Sequence, residues 1–316
     1  MGRYFIRRLL LIIPTLFLVS VMVFAMIRLI PGDVVDMMLE QYQYAKDVAE
    51  LKQKLGLDKP IILQYFHWLA KLVRGALGES LWTKRSATEE LKTRFPVTLE
   101  LSLISIFFSL LIALPVGILA AIRQDSWMDY LARSFTIGAL SIPSFWLATL
   151  FLVLPSIWFK IAPPIGSYMS FSANPWGHIS QFLFPAFAMG LAQSGVIMRM
   201  TRAMMLEVLR QDYVRTAWAK GLNEKVVVFR HALKNALIPI VDVIGIQMPF
   251  YFGGTIIMEY IFSLPGMGSF AFEAISKRDY PMIQAITLFI AIFIVLTNLI
   301  VDLSYGYLDP RIKYKD

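Results

Sequence analysis

The sequence predicts an all-α polytopic membrane protein. Three observations carry that expectation. Of 316 residues, 57% are hydrophobic and 16% charged, against roughly 25% charged in an average soluble domain. Six apolar runs approach the roughly 20 residues that a helix needs to cross a bilayer. The Lys and Arg residues behind the net charge of +8 crowd onto alternate loops between those runs, as the positive-inside rule requires. That rule explains the charge without nucleic acid as a partner.

The first run, Leu9–Ile27, follows Arg3, Arg7 and Arg8. It is longer than a signal-peptide core, and Arg28-Leu29-Ile30-Pro31 is a poor cleavage site, so it reads as an uncleaved span. Pro31–Pro96 carries charges of both signs. It is predicted as an extracytoplasmic subdomain with helices over Val48–Leu57 and Pro60–Leu77, or else as plain surface cover. Leu101–Ile122 is the second span. Ser134–Phe159, uncharged and holding Pro143 and Pro155, is the third. Ile179–Met198 is the fourth, Asn235–Met258 the fifth and Pro281–Val301 the sixth. Each must be helical, because unpaired backbone cannot face lipid.

Arg123 and Arg133 flank the loop between spans two and three. Basic residues from Arg199 to Lys234 fill the loop between spans four and five, and Arg311, Lys313 and Lys315 follow span six. Six transmembrane helices with cytoplasmic N- and C-termini satisfy this pattern. The predicted organisation is therefore 1–30 as N-terminus and first span, 31–96 as the outer loop, 97–305 as the core with a cytoplasmic loop at 199–236, and 306–316 as a cytoplasmic tail.

That cytoplasmic loop has helical periodicity. Leu206, Leu209, Tyr213 and Ala217 share one face of a predicted helix over Leu206–Ala219. Gly221 then occupies the position just past a helix end, where positive φ is common. Asn223 is placed to cap a second helix, with Glu224 in its first turn. There Val226, Phe229, Leu233 and Ala236 share a face. Exposed charges of both signs suit a protein partner better than a phosphate. The alternative is that both helices simply extend their flanking spans.

This segment resembles the cytoplasmic loop of binding-protein-dependent ABC importer permeases. Their motif is Glu-Ala-Ala, three residues, Gly, nine residues and Ile-x-Leu-Pro. Ala217, Gly221 and Leu233 match it, while Arg215, His231 and Lys234 stand at the Glu, Ile and Pro positions. The chain is similar to the dipeptide, oligopeptide and nickel branch nearly throughout. The fragments are Ile30-Pro31-Gly32-Asp33, Leu55-Gly56-Leu57-Asp58-Lys59-Pro60, Leu77-Gly78-Glu79-Ser80 and Met198-Arg199-Met200-Thr201-Arg202. After the loop come Phe262-Ser263-Leu264-Pro265-Gly266-Met267-Gly268, Arg278-Asp279-Tyr280-Pro281, Asn298–Leu303 and Leu308-Asp309-Pro310-Arg311.

The resemblance implies a type I ABC importer permease fold in the bacterial inner membrane, surrounded by membrane lipid. It implies a second homologous permease subunit, two ATP-binding subunits and an extracytoplasmic solute-binding protein as partners. The cargo it implies is di- or oligopeptides, with nickel or glutathione-like solutes as alternatives. It also implies that Tyr213, Arg215, Thr216, Ala217, Lys220 and Gly221 form the ATPase-coupling helix. The chain itself is then no enzyme and holds no cofactor, ATP being bound by partner subunits.

The remaining residues carry less. Asp242, a carboxylate within span five, is a candidate for the pathway or for helix pairing. Gly245, Gly253 and Gly254 permit close helix approach. Pro115, Pro143, Pro155, Pro185 and Pro249 are expected kinks. His67, His178 and His231 lack metal-site spacing. The chain has no cysteine and no Gly-x-x-x-x-Gly-Lys-Ser/Thr phosphate loop. An ion-coupled secondary transporter would instead require charge pairs within the spans, and a membrane-embedded enzyme would require clustered catalytic groups.

Overall fold

A computed structural model describes residues 2–29, 59–160, 165–166 and 168–308. The expected helix Val48–Leu57, the Ile30–Asp33 and Leu55–Asp58 fragments and the basic tail at Arg311, Lys313 and Lys315 lie outside the described residues. The elements are α1 (Gly2–Leu29), α2 (Ile61–Val73), α3 (Ala87–Ile122), α4 (Trp127–Ser141), α5 (Ser144–Phe159), α6 (Pro175–Leu209), α7 (Asp212–Ala219), α8 (Glu224–Ile261), α9 (Met267–Ser276) and α10 (Tyr280–Leu308).

Among the described residues, four helices are long and apolar enough to cross a membrane: α3, α6, α8 and the Tyr280–Val301 part of α10. The pair α4 and α5 makes a fifth if it counts as one span. The expected third span is therefore not one straight helix. α4 and α5 meet at 97°. Pro143 supplies the reason: it has no N–H to donate and disfavours helical backbone at the residue before it. Ile142 accordingly adopts extended backbone at φ −89° and ψ 121°. The other prolines named as kinks, Pro115, Pro155, Pro185 and Pro249, sit inside their helices. Pro96 likewise interrupts nothing, so α3 begins well before the expected Leu101.

The chain divides into two compact units. One comprises Met1–Phe95 and Phe270–Leu296. In it α2 packs on α1 through Tyr65, whose hydroxyl lies 2.8 Å from Ser20 Oγ and whose ring meets Phe17 and Phe24 edge-on. Two fragments nearly 200 residues apart also join: Ser80 Oγ donates to Asp279 Oδ2 at 2.5 Å, and Trp82 Nε1 donates to the Lys277 carbonyl at 2.9 Å. The Phe95 ring stands edge-on to Phe289 and Phe293 of α10.

The other unit comprises Pro96–Ser269 and Thr297–Asp316. Its hub is α6, which packs on α4, α5 and α8. Asn174 caps α6 by accepting from Gly177 N at 2.9 Å, and Pro175 occupies the first turn, where no amide donor is needed. One apolar cluster gathers Leu101, Phe182, Met189, Tyr251 and Met258. A second gathers Ile118, Ile197, Met205, Val228 and Ile240. Side chains this closely packed make the helices of the unit sensitive to each other's position.

Candidate functional site

The segment between α6 and α8 holds the residues singled out by sequence. α6 ends at Leu209. Gln211 takes extended backbone, ψ 147°, and α7 restarts at Asp212. The expected helix over Leu206–Ala219 is thus two helices, and the break rotates the second. Val214 and Ala217 turn inward, where with Val227 they form a small core against Val208 and Leu209. Tyr213 is instead exposed, at 43%, as is Trp218 at 46%.

Gly221 behaves as its position predicts. Its φ is +73°. Its N–H donates to the Trp218 carbonyl at 2.9 Å, and Leu222 N donates to Ala217 O at 3.4 Å. These paired bonds close a helix end as a Schellman motif, which satisfies otherwise orphaned carbonyls. Asn223 then caps the next helix by accepting from Lys225 N at 3.1 Å. The connection from Leu209 to Glu224 is thereby closed by local hydrogen bonds at both Gly221 and Asn223.

The first part of α8 differs from expectation. Val227–Leu233 is π-helical. A π turn holds more residues than an α turn, so it shifts the register of every later side chain. Val227, Val228, Ala232 and Ala236 are buried, whereas Val226 and Phe229 are exposed. Of the expected face Val226, Phe229, Leu233 and Ala236, only Ala236 is fully inside.

The other expected site residues fall as follows. Tyr213 Oη accepts from Asn235 Nδ2 at 2.7 Å and lies 3.3 Å from the His231 carbonyl, which ties α7 to α8. Arg215 and Lys220 are exposed, with Arg215 3.4 Å from Asp212. Thr216 Oγ1 donates back to the Asp212 carbonyl at 2.9 Å. The resulting surface offers two cations, two exposed aromatic rings and a turn closed by its own hydrogen bonds, a mix common at protein interfaces. Asp242 is exposed on α8, apart from this surface in sequence. A β-carbon at Gly245 would meet Val301 and one at Gly254 would meet Met189, whereas one at Gly253 would enter open space.

His178 is buried: its Nε2 lies 2.7 Å from Glu100 Oε1 and its Nδ1 2.8 Å from the Met169 carbonyl.

Sequence reasoning missed a buried carboxylate at the far end of α8. Glu259 lies one residue past the expected end of span five and is fully buried. Thr98 Oγ1 donates to its Oε1 at 2.6 Å. Gly268 N and Ser269 N, at the start of α9, donate to Oε2 at 2.7 and 3.0 Å. Glu259 thus supplies from outside an acceptor for amides that a helix N-terminus leaves without intrahelical partners. A β-carbon at Gly266 would lie 2.2 Å from its Cδ. The glycines of Phe262–Gly268 were the available signal, since close backbone approach demands glycine.

Residues 113–314 match the family described as "Binding-protein-dependent transport system inner membrane component", and residues 1–102 match its N-terminal counterpart. The dipeptide transport system permease protein DppB of Alkalihalophilus pseudofirmus is 40% identical, over 98% of this chain and 99% of its own. The glutathione transport system permease protein GsiC of Pectobacterium atrosepticum is 38% identical over the full length of both. The di/tripeptide transport system permease protein DppB of Pseudomonas aeruginosa is 40% identical over 98% of each. Among solved structures, an inward-facing MetNI methionine ABC transporter chain aligns with a TM-score of 0.57. The identity is 18%, over 70% of this chain and 96% of that one, a likeness of fold.

Proposed function

The chain belongs to the inner membrane components of binding-protein-dependent transport systems, and from that premise we propose that it forms half of an ATP-driven import pathway for di- or oligopeptides. It is a multi-pass inner membrane permease subunit of an ABC importer, a family that works with ATPase and solute-binding partners. The finer reading adds a second, homologous permease to complete the pathway and two ATP-binding subunits on the cytoplasmic face. ATP belongs to those subunits. Six transmembrane helices with both termini cytoplasmic complete the arrangement, α1 being the first span and the α4–α5 pair the third. Residues 31–96 lie outside, 97–305 form the core and 306–316 the inner tail.

One observation carries the coupling role: the α7–Gly221 turn is closed by its own hydrogen bonds while Tyr213, Arg215 and Trp218 remain exposed. A self-closed helix end joined to α6 and α8 moves as a body, so force on α7 reaches both long helices. Arg215 and Lys220 make the docking charge positive. Asp242 belongs to helix pairing or to the pathway wall. Peptide is the favoured cargo because relatives of about 40% identity carry dipeptide and di/tripeptide names. The glutathione-named relative keeps a small peptide-like solute as the second cargo.

Reconstitution into liposomes with both ATPases, the second permease and the binding protein tests this. ATP-dependent dipeptide uptake is expected. It should be lost on Gly221→Val, since a β-branched residue at φ +73° is strained. Uptake by this chain alone, driven by an ion gradient, would overturn the reading.

A further inference from the structure

Asp129 sits in the first turn of α4 with its side chain fully buried. It accepts from two guanidinium groups at once. Arg202 of α6 is a planar fork, Nε to Oδ1 at 2.7 Å and Nη2 to Oδ2 at 2.7 Å. Arg133, one turn along α4, donates from Nε at 3.1 Å and also from Nη2. The backbone N–H of Asp125 completes the set at 3.0 Å. Asp125 itself is held at φ +60° and accepts from Arg133 Nη2 at 3.1 Å. Two aspartates and two arginines make the cluster neutral. Further along, Arg210 Nη2 donates to Gln124 Oε1 at 3.2 Å. The contact continues inward through Gly195, which faces Ala139 and Leu140.

We propose that Asp129 is a positioning residue for transport: it locks α4 to α6, so that movement of the α7 turn reaches the bent α4–α5 pair as well as α6 and α8. The proposal rests on the coupling role given to α7 above. Three features on this chain point to it. The 97° bend leaves α4 without straight helical continuity to α5, so α4 needs a separate connection to whatever drives it. A bidentate guanidinium–carboxylate fork fixes orientation as well as distance, unlike a point charge. Arg202 lies about two turns before α6 ends at Leu209, where α7 attaches.

The test uses the complete transporter in proteoliposomes, with dipeptide uptake and ATP hydrolysis measured in the same vesicles. Asp129→Asn removes the charge. Arg202→Lys keeps the charge and loses the fork, and serves if the first variant does not assemble. Uptake per ATP hydrolysed is expected to fall about tenfold in the first and less in the second. An unchanged ratio, including uptake and hydrolysis falling together, would reduce Asp129 to a structural role and overturn the proposal.

A second readout is direct. The chain has no cysteine, so with cysteine-free partner subunits, spin labels at Leu131→Cys and Ala203→Cys, both exposed, report the α4–α6 distance alone. That distance should stay constant between ATP-bound and nucleotide-free states with Asp129 present, and should broaden in Asp129→Asn. A change between nucleotide states with Asp129 in place would sink the idea. Failure of the unaltered transporter to take up peptide with ATP would instead count against the importer reading.

Discussion

Asp129 and Glu259 are both fully buried carboxylates in the same unit, yet they are satisfied by opposite means. Asp129 meets two cations and one amide. Glu259 meets a hydroxyl and two amides at a helix start. The first arrangement joins two long helices through charge and directional forks. The second holds a turn against the helix it follows. A buried carboxyl is tolerable only when its partners restore what water supplied: two guanidinium groups do so at Asp129, a hydroxyl and two backbone amides at Glu259. They differ in what happens when one partner changes.

The largest effect should follow Asp129→Asn. It leaves Arg202 and Arg133 without their shared anion, and breaking a buried pair from one side is strongly destabilising. About 3 kcal/mol is expected, the low end of the range because Arg133 is partly solvated. Thermal unfolding of the assembled complex would measure it. A loss no larger than that of Glu259→Gln would break the comparison, because it would mean that the cations add nothing.

Gly266→Ala comes next and attacks the other carboxylate by space alone. The added carbon would fall 2.2 Å from Glu259 Cδ. The turn must shift, at a cost of about 2 kcal/mol, as for other overpacked sites. Glu259→Gln in the same background should recover none of this, since its shape is the same. Recovery by Glu259→Ala would confirm that the conflict is steric.

Much of this molecule was legible from sequence because lipid leaves few options. Apolar runs of sufficient length must be helices, and the long helices α3, α6, α8 and α10 contain the runs expected for them. The Gly221 and Asn223 turns were legible for a different reason: cap chemistry is local, and both residues use their own backbone or side chain. What escaped was relational. Asp129 and Arg202 are 73 residues apart, and Thr98 and Glu259 are 161 apart, so no periodicity links them. The α7 face was misread because a single extended residue, Gln211, resets helical phase. The π turn at Val227–Leu233 did the same to the next face. A periodic pattern assumes unbroken winding, and both errors lie where winding changes.

Glu259→Gln is a smaller perturbation and tests the dipole half of the comparison. A glutamine oxygen can still accept from Gly268 N and Ser269 N. Its amide then faces Thr98, whose hydroxyl already accepts from Met267 N at 2.7 Å and loses its own acceptor. Thr98 Oγ1 can take the new amide on its second lone pair, but its O–H is left without an acceptor, a cost of about 1 kcal/mol. The same thermal measurement applies, and a loss matching Asp129→Asn would show that the α9 N-terminus acts like a full cation.

The smallest effect is expected at Glu90, which separates burial from geometry. Its side chain is only 10% exposed, close to that of the other two acids, and it also faces two arginines. Those contacts are single rather than forked: Arg94 Nε at 2.8 Å and Arg85 Nη1 at 3.3 Å. Arg85 is 70% exposed, so water competes for it and salt screens it. Glu90→Gln should therefore cost about 0.5 kcal/mol, the value of an exposed pair, and less still in high salt. A loss approaching that of Asp129→Asn would mean that burial of the carboxylate alone sets the cost. A small loss at Glu90 beside a large one at Asp129 would assign the difference to the two-sided fork, the feature that makes Asp129 fit to carry motion between helices.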